Sequence, residues 1–209
     1  MDFRRPLLVI APTLDGDVLA TLARGEIEVS GRELARQVAY GSPEGIRRAA
    51  DRLVIQGTVS RRAAGGAHLY SLNREHLAAR HIEGLANLRG ELIDRLRATI
   101  AGWAQPPLSV FLFGSVARSE ASAESDLDLL VVRPSRSDPD RDDWREQLLE
   151  LQRSASAWTG NDARVVEYGE DELGDASADP LLTEVATNGI DLYGSRRTLQ
   201  RLIGPARLR

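Results

Sequence analysis

Apolar positions recur at helical spacing over the first hundred residues and gather afterwards into short runs. Leu14, Val18, Leu19 and Leu22 predict a helix over 15–23, with Gly25 just beyond it. Ser30 is a good N-cap for a helix over 31–39, and Glu33 stands three residues on, as in a capping box. Ser42 followed by Pro43 opens a third helix whose buried side carries Ile46, Ala49, Ala50 and Leu53. Residues 59–62 and 68–72, separated by Ala63-Ala64-Gly65-Gly66, predict a hairpin. Leu77, Ile82, Leu85, Leu88, Leu92, Leu96 and Ile100 form one long stripe, predicting a single amphipathic helix over 74–103 that packs on a neighbouring domain or a twin subunit. The run before it, over 2–12, reads as a strand or a packed extension.

Gln105-Pro106-Pro107 breaks the helical pattern. Beyond it come apolar runs at 108–113, 126–132, 163–168 and 190–193, with helical stretches at 139–158, 180–188 and 196–209. The fold class is therefore α+β. Residues 1–75 form a first domain, 76–104 a linking helix, and 105–209 a domain around a small mixed sheet. Trp144 and Trp158 on the 139–158 helix read as packing.

Composition narrows this little. The 42% apolar and 28% charged residues are those of an ordinary globular chain. The absence of cysteine excludes disulfides and thiolate metal sites and suits a cytoplasmic protein. The apolar run near residue 10 is too short to cross a bilayer, so no membrane association is expected. All 27 basic residues are Arg. The net charge of −4 is uneven: residues 1–75 hold 11 Arg against 9 acidic residues, whereas 76–209 hold 16 against 22.

The candidate chemistry lies in 113–132, FGSVARSEASAESDLDLLVV. A strand over 126–132 would place Asp126 and Asp128 on one face and Leu127 and Leu129 on the other. Two carboxylates so held repel each other unless a cation lies between them. Mg²⁺ suits such a pair, because it takes one or two carboxylates together with substrate phosphates. Gly114 permits a turn that a side chain would block, and Ser115 offers a hydroxyl and an N–H to phosphate oxygens.

Gly114-Ser115, ten residues, then Asp126-x-Asp128 resembles the signature of the nucleotidyltransferase (DNA polymerase beta) superfamily. It is most similar to the minimal nucleotidyltransferase branch, where an Ala-Arg often follows the Gly-Ser as Ala117-Arg118 do here. The resemblance implies that Asp126 and Asp128 hold Mg²⁺, with up to two ions, against the triphosphate of an NTP. It also implies that Gly114 and Ser115 cradle the β and γ phosphates, and that Arg118 neutralises them. The family's third carboxylate sits on the next central strand. Here the equivalent position is Arg164; Glu167 and Asp162 are the alternative ligands, or the ligand is missing. Glu167 is taken as the third catalytic residue, although its parity puts it on the face opposite Arg164.

Three short helices followed by a hairpin resemble a winged helix-turn-helix over about 13–73. That resemblance implies a third helix in the major groove of double-stranded DNA, with Arg47, Arg48 and Arg52 near phosphates or base edges and Arg61 and Arg62 on the wing. Glu44 and Asp51 on the same helix weaken the basic patch. Two functions follow. One is a Mg-dependent transfer of a nucleoside monophosphate to an acceptor hydroxyl, as on a partner protein. The other is a DNA-binding transcriptional regulator whose degenerate domain only senses nucleotide or a partner; under either, the long helix 74–103 offers a face for a homodimer.

Overall fold

The computed structural model describes residues 1–25 and 28–204. They divide into two compact units: Asp2 with residues 4–88, and Met1 and Phe3 with residues 89 onward.

In the first unit the run expected as a strand or extension is a 3-10 turn, Pro6–Val9, that buries Pro6 and Leu7. Helices α1 (Leu14–Arg24), α2 (Gly31–Gln37) and α3 (Pro43–Ile55) follow, with a two-residue strand β1 (Val29–Ser30) before α2. The expected caps form. Ser30 Oγ accepts from the N–H of Glu33 at 3.2 Å, and Ser42 Oγ from that of Gly45 at 3.1 Å. The return half of the capping box does not: the Glu33 carboxylate accepts from Arg36 and Gln37. Strands β2 (Val59–Ala64) and β3 (Ala67–Leu72) are joined at Gly65-Gly66, whose φ angles of 53° and 81° are those a two-residue hairpin turn demands. With β1 they make a three-stranded antiparallel sheet in the order β1-β3-β2. Val18, Leu34, Ile46, Ala49, Ala50, Val59 and Tyr70 share one core.

The continuous helix expected over 74–103 is absent. Helix α4 (Ala79–Ala86) and helix α5 (Leu88–Ala101) are separated by Asn87, whose φ of −102° and ψ of 19° leave the helical region. Asn is a weak helix former flanked here by Gly84 and Gly90, so the local cost of interruption is small. The stripe that looked continuous serves two cores. Ile82 belongs to the first unit's core, and Leu92, Leu96 and Ile100 to the second's. Those side chains are not available for a subunit interface, and Leu77 is left 91% exposed.

The second unit contains a four-stranded sheet in the order β6-β5-β4-β7, built from β4 (Ser109–Phe113), β5 (Leu127–Arg133), β6 (Ala163–Gly169) and β7 (Ile190–Tyr193). Strands β5 and β6 are parallel, joined through helix α7 (Asp142–Thr159); β4 is antiparallel to β5 and β7. Strand alternation splits the apolar residues between two faces. Val110, Leu112, Leu127, Leu129 and Val131 pack with Leu96 of α5 and Trp144 and Leu151 of α7. Phe111, Phe113, Leu130 and Val132 pack with Leu182 and Val185 of α8 (Pro180–Asn188) and Leu199 of α9 (Arg196–Leu202). The end of the helix expected over 196–209 lies outside the described residues from 205 on. Among the described residues, no helix is long and apolar enough to cross a membrane.

Candidate active site

Strand β4 ends in a single helical turn, α6 (Gly114–Ala117), where the sequence pattern had shown only a turn. Gly114 has φ +69°, and a Cβ built there would lie 2.4 Å from Oδ2 of Asp128. Only glycine therefore allows the backbone to pass so close to that carboxylate. The first N–H groups of α6 have no acceptor within the helix. Asp128 sits on β5 opposite Phe113 of β4 and beside Arg164 of β6 in the register. It shares the α8 and α9 face of the sheet with Leu130 and Val132. Gly114, Ser115, Arg118, Asp126, Asp128, Arg164 and Glu184 of α8 line one open cleft of about 500 Å³.

Charge in this cleft is close-set and paired. Arg164 Nη1 lies 2.7 Å from Asp126 Oδ2, and its Nε lies 3.3 Å from Asp162 Oδ2. Arg118 binds Glu120 at 2.9 Å through Nε and also pairs with Glu184. Burial, reinforced by the neighbouring Asp126 charge, raises the pKa of Asp128 above the ordinary carboxylate value; Arg164 opposes that shift. Among the described residues no three His, Cys, Asp or Glu side chains converge on a metal-sized space. Two carboxylates with raised mutual repulsion do fit a divalent ion whose remaining ligands are phosphate oxygens and water.

Gly114, Ser115, Arg118, Asp126 and Asp128, picked out from the sequence, thus come together. Glu167 does not, and its assignment as a third catalytic carboxylate is corrected here. It pairs with Val131 in the β5–β6 register and so faces α7, not the cleft. Its Oε1 accepts from Arg133 Nε at 2.8 Å and from Trp144 Nε1 at 3.0 Å. Its work is structural: Arg133 and Trp144 are both buried and each needs an acceptor. Glu167→Gln keeps an acceptor for both while removing the charge. The expected result is a loss on the order of 1 kcal/mol in urea unfolding with nucleotide binding unchanged; a binding defect at full stability would return Glu167 to the site.

The arginines expected at DNA are each already paired with a carboxylate of their own unit. Arg47 binds Glu44 (2.8 Å) and Asp51 (3.2 Å), Arg48 binds Glu44 (3.0 Å), and Arg52 binds Asp15 (2.7 Å). Arg61 binds Asp51 at 3.0 Å, and Arg62 binds Glu28. Arg47 first, then Arg48, lower the pKa of Glu44 to about 2.

Three residues near the cleft carried no signal in the sequence. Arg89 of α5 donates to the carbonyls of Val116 (2.9 Å) and Ala117 (2.6 Å), tying down the turn that carries Gly114. Buried Asn161 donates to the Ser125 carbonyl at 2.8 Å, just before Asp126. Glu184 meets Arg118 from a helix more than sixty positions away. Each acts through a contact made only by folding; an Arg, an Asn or a Glu in a helix or turn has no local pattern that reveals it.

Residues 96–170, which contain this cleft's strands, match the sequence family described as "Nucleotidyltransferase domain". This match over part of the chain supports a transferase of phosphorus-containing groups. Among solved structures, the chain is similar to a toxin–antitoxin crystallised with AMP-PNP, with 19% identity and a TM-score of 0.39. The match covers 53% of this chain and 79% of that one. It is similar also to a mutant of the toxin–antitoxin MntA–HpeT, with 19% identity and a TM-score of 0.35, covering 55% of this chain and 79% of that one. No curated protein matches the sequence.

Proposed function

We propose that this chain is a Mg²⁺-dependent nucleotidyltransferase that moves a nucleoside monophosphate from an NTP to an acceptor hydroxyl, which a partner protein presents. One observation carries this: Asp126 and Asp128 stand in the same cleft as a turn that must be glycine for the carboxylate to approach it. Asp126 and Asp128 hold the ion. When bound, it supplies Lewis-acid stabilisation of the phosphate oxygens. The N–H groups opening α6 and the Ser115 hydroxyl receive the β and γ phosphates, and Arg118 neutralises them. The acceptor oxygen bonds to the α-phosphorus as the bond to pyrophosphate breaks, and the hydroxyl proton leaves to water in the open cleft. Incubation with each α-labelled NTP, Mg²⁺ and cell lysate tests this. Label transferred to a macromolecule is expected, and absence of both transfer and nucleotide binding would overturn it.

Glu184 competes with the nucleotide for Arg118. Glu184→Gln removes one of the two carboxylates on the guanidinium, Glu120 being the other, and a negative charge from beside Asp128, so Kd for Mg–NTP falls a few-fold. Calorimetry on the two proteins measures it.

The regulator reading has one observation in its favour. A cleft of about 1090 Å³ in the first unit is lined by Arg32, Arg36, Arg47 and His68 beside Tyr70. The ion pairs on Arg47, Arg48, Arg52, Arg61 and Arg62 oppose it, since phosphates would have to displace the carboxylates. Duplex DNA binding that weakens steeply with salt would support this reading, and no binding at about 50 mM salt would end it.

A further inference from the structure

Arg164 lines the cleft, yet the transfer chemistry above gives it no task. It stands beside Asp128 where the parallel register of β5 and β6 brings the next central strand against the carboxylate pair. Its guanidinium bridges two carboxylates, Asp126 at 2.7 Å and Asp162 at 3.3 Å. Its side chain is nevertheless 59% exposed, so no packing forces it into the cleft; the two carboxylates hold it there.

We propose that Arg164 is a resident cation of the cleft, so that the nucleotide-bound site holds one divalent ion rather than two. This rests on the nucleotidyltransferase reading and deepens it. One oxygen of Asp126, Oδ2, is already taken by Nη1 of Arg164. A divalent ion placed within about 4 Å of the guanidinium would meet strong like-charge repulsion. The oxygens that remain on Asp126 and Asp128 suffice for a single ion completed by phosphate and water. A guanidinium carries five N–H donors in a planar fork. Two are engaged with Asp126 and Asp162, which leaves three donors on a side chain that lines the cleft for a phosphate oxygen. Arg164 thereby supplies a positive charge on the nucleotide that is independent of metal supply.

The test counts ions, not turnover. Mn²⁺ bound per chain is measured by electron paramagnetic resonance on the full chain, with a saturating non-hydrolysable ATP analogue and correction for ion held by free analogue. One ion is expected in the wild type and in Arg164→Lys, and two in Arg164→Asp, which places a carboxylate at that position. The exposure of Arg164 makes both variants compatible with the fold, and circular dichroism verifies it. Two ions in the wild type would overturn the proposal by themselves, whatever the variants do. So would a count of one in a folded Arg164→Asp. If the wild type binds neither Mn²⁺ nor analogue, the failure is of the nucleotidyltransferase reading, and that outcome is distinct from a count of two.

Discussion

Asp126→Ala combined with Asp128→Ala abolishes nucleotidyl transfer, by at least about 10²-fold, the cost of losing a single preorganised electrostatic contact in an active site. Asp126 and Asp128 are the carboxylate pair that the cleft offers a divalent ion beside the Gly114 turn, whereas Glu167 faces the other side of the sheet. The fold should survive the change. Burial and the Asp126 charge raise the pKa of Asp128 above the ordinary 3.8, so the folded chain holds that proton more tightly than the unfolded one. The stabilisation is complete below pH 3.8 and is lost as pH rises through the raised value. At pH 7 the ionised Asp128 therefore weakens the fold. Asp128→Asn should raise Tm at pH 7, with the gain vanishing near pH 3, while transfer is lost. Parallel melting and labelled-NTP assays check both halves. A variant that is inactive because it is less stable at pH 7 would show that Asp128 is a structural residue.

Gly114→Ala damages stability and chemistry together. A φ of +69° costs a residue with a Cβ roughly 1–2 kcal/mol. The new methyl would also start 2.4 Å from Asp128 Oδ2, closer than any real contact, so the carboxylate or the turn must move. Displacing a reacting group by about 1 Å costs on the order of 10²-fold. The expected outcome is a Tm several degrees lower and transfer reduced by about two orders of magnitude in the protein that remains folded. Asn, which tolerates the left-handed region better, should recover part of the stability but none of the activity, because its Cβ meets the same oxygen. Restored transfer in Gly114→Asn would mean that the close approach of turn and carboxylate is not needed.

The cleft's polar groups are largely self-paired: Arg118 with Glu120 and Glu184, Asp126 with Arg164. Nucleotide binding must exchange some of these contacts for phosphate and metal contacts. The cleft groups that face solvent make that exchange inexpensive, since partly exposed ion pairs contribute little to stability.

What the sequence determined by itself was local. The caps at Ser30 and Ser42, the hairpin at Gly65-Gly66, and the strands flanking Gly114 and Asp128 all follow from short-range rules of backbone geometry and periodicity. The spacing of Gly114, Ser115, Asp126 and Asp128 was enough to single out one cleft, because two paired strands must bring the end of one to the start of the other. Tertiary structure alone decided the rest. Whether Arg164 or Glu167 meets Asp128 depends on the register between β5 and β6, a pairing of residues more than thirty positions apart that strand parity narrows but cannot fix. The stripe from Leu77 to Ile100 has the period of one helix, yet the chain breaks at Asn87 because its two halves are buried in different cores. The arginines of α3 and the hairpin looked available to DNA until Asp15, Glu28 and Asp51 were placed beside them by folding. Periodicity reports which face of an element is apolar; what that face, or a charge on it, finally meets is set by contacts distant in the chain.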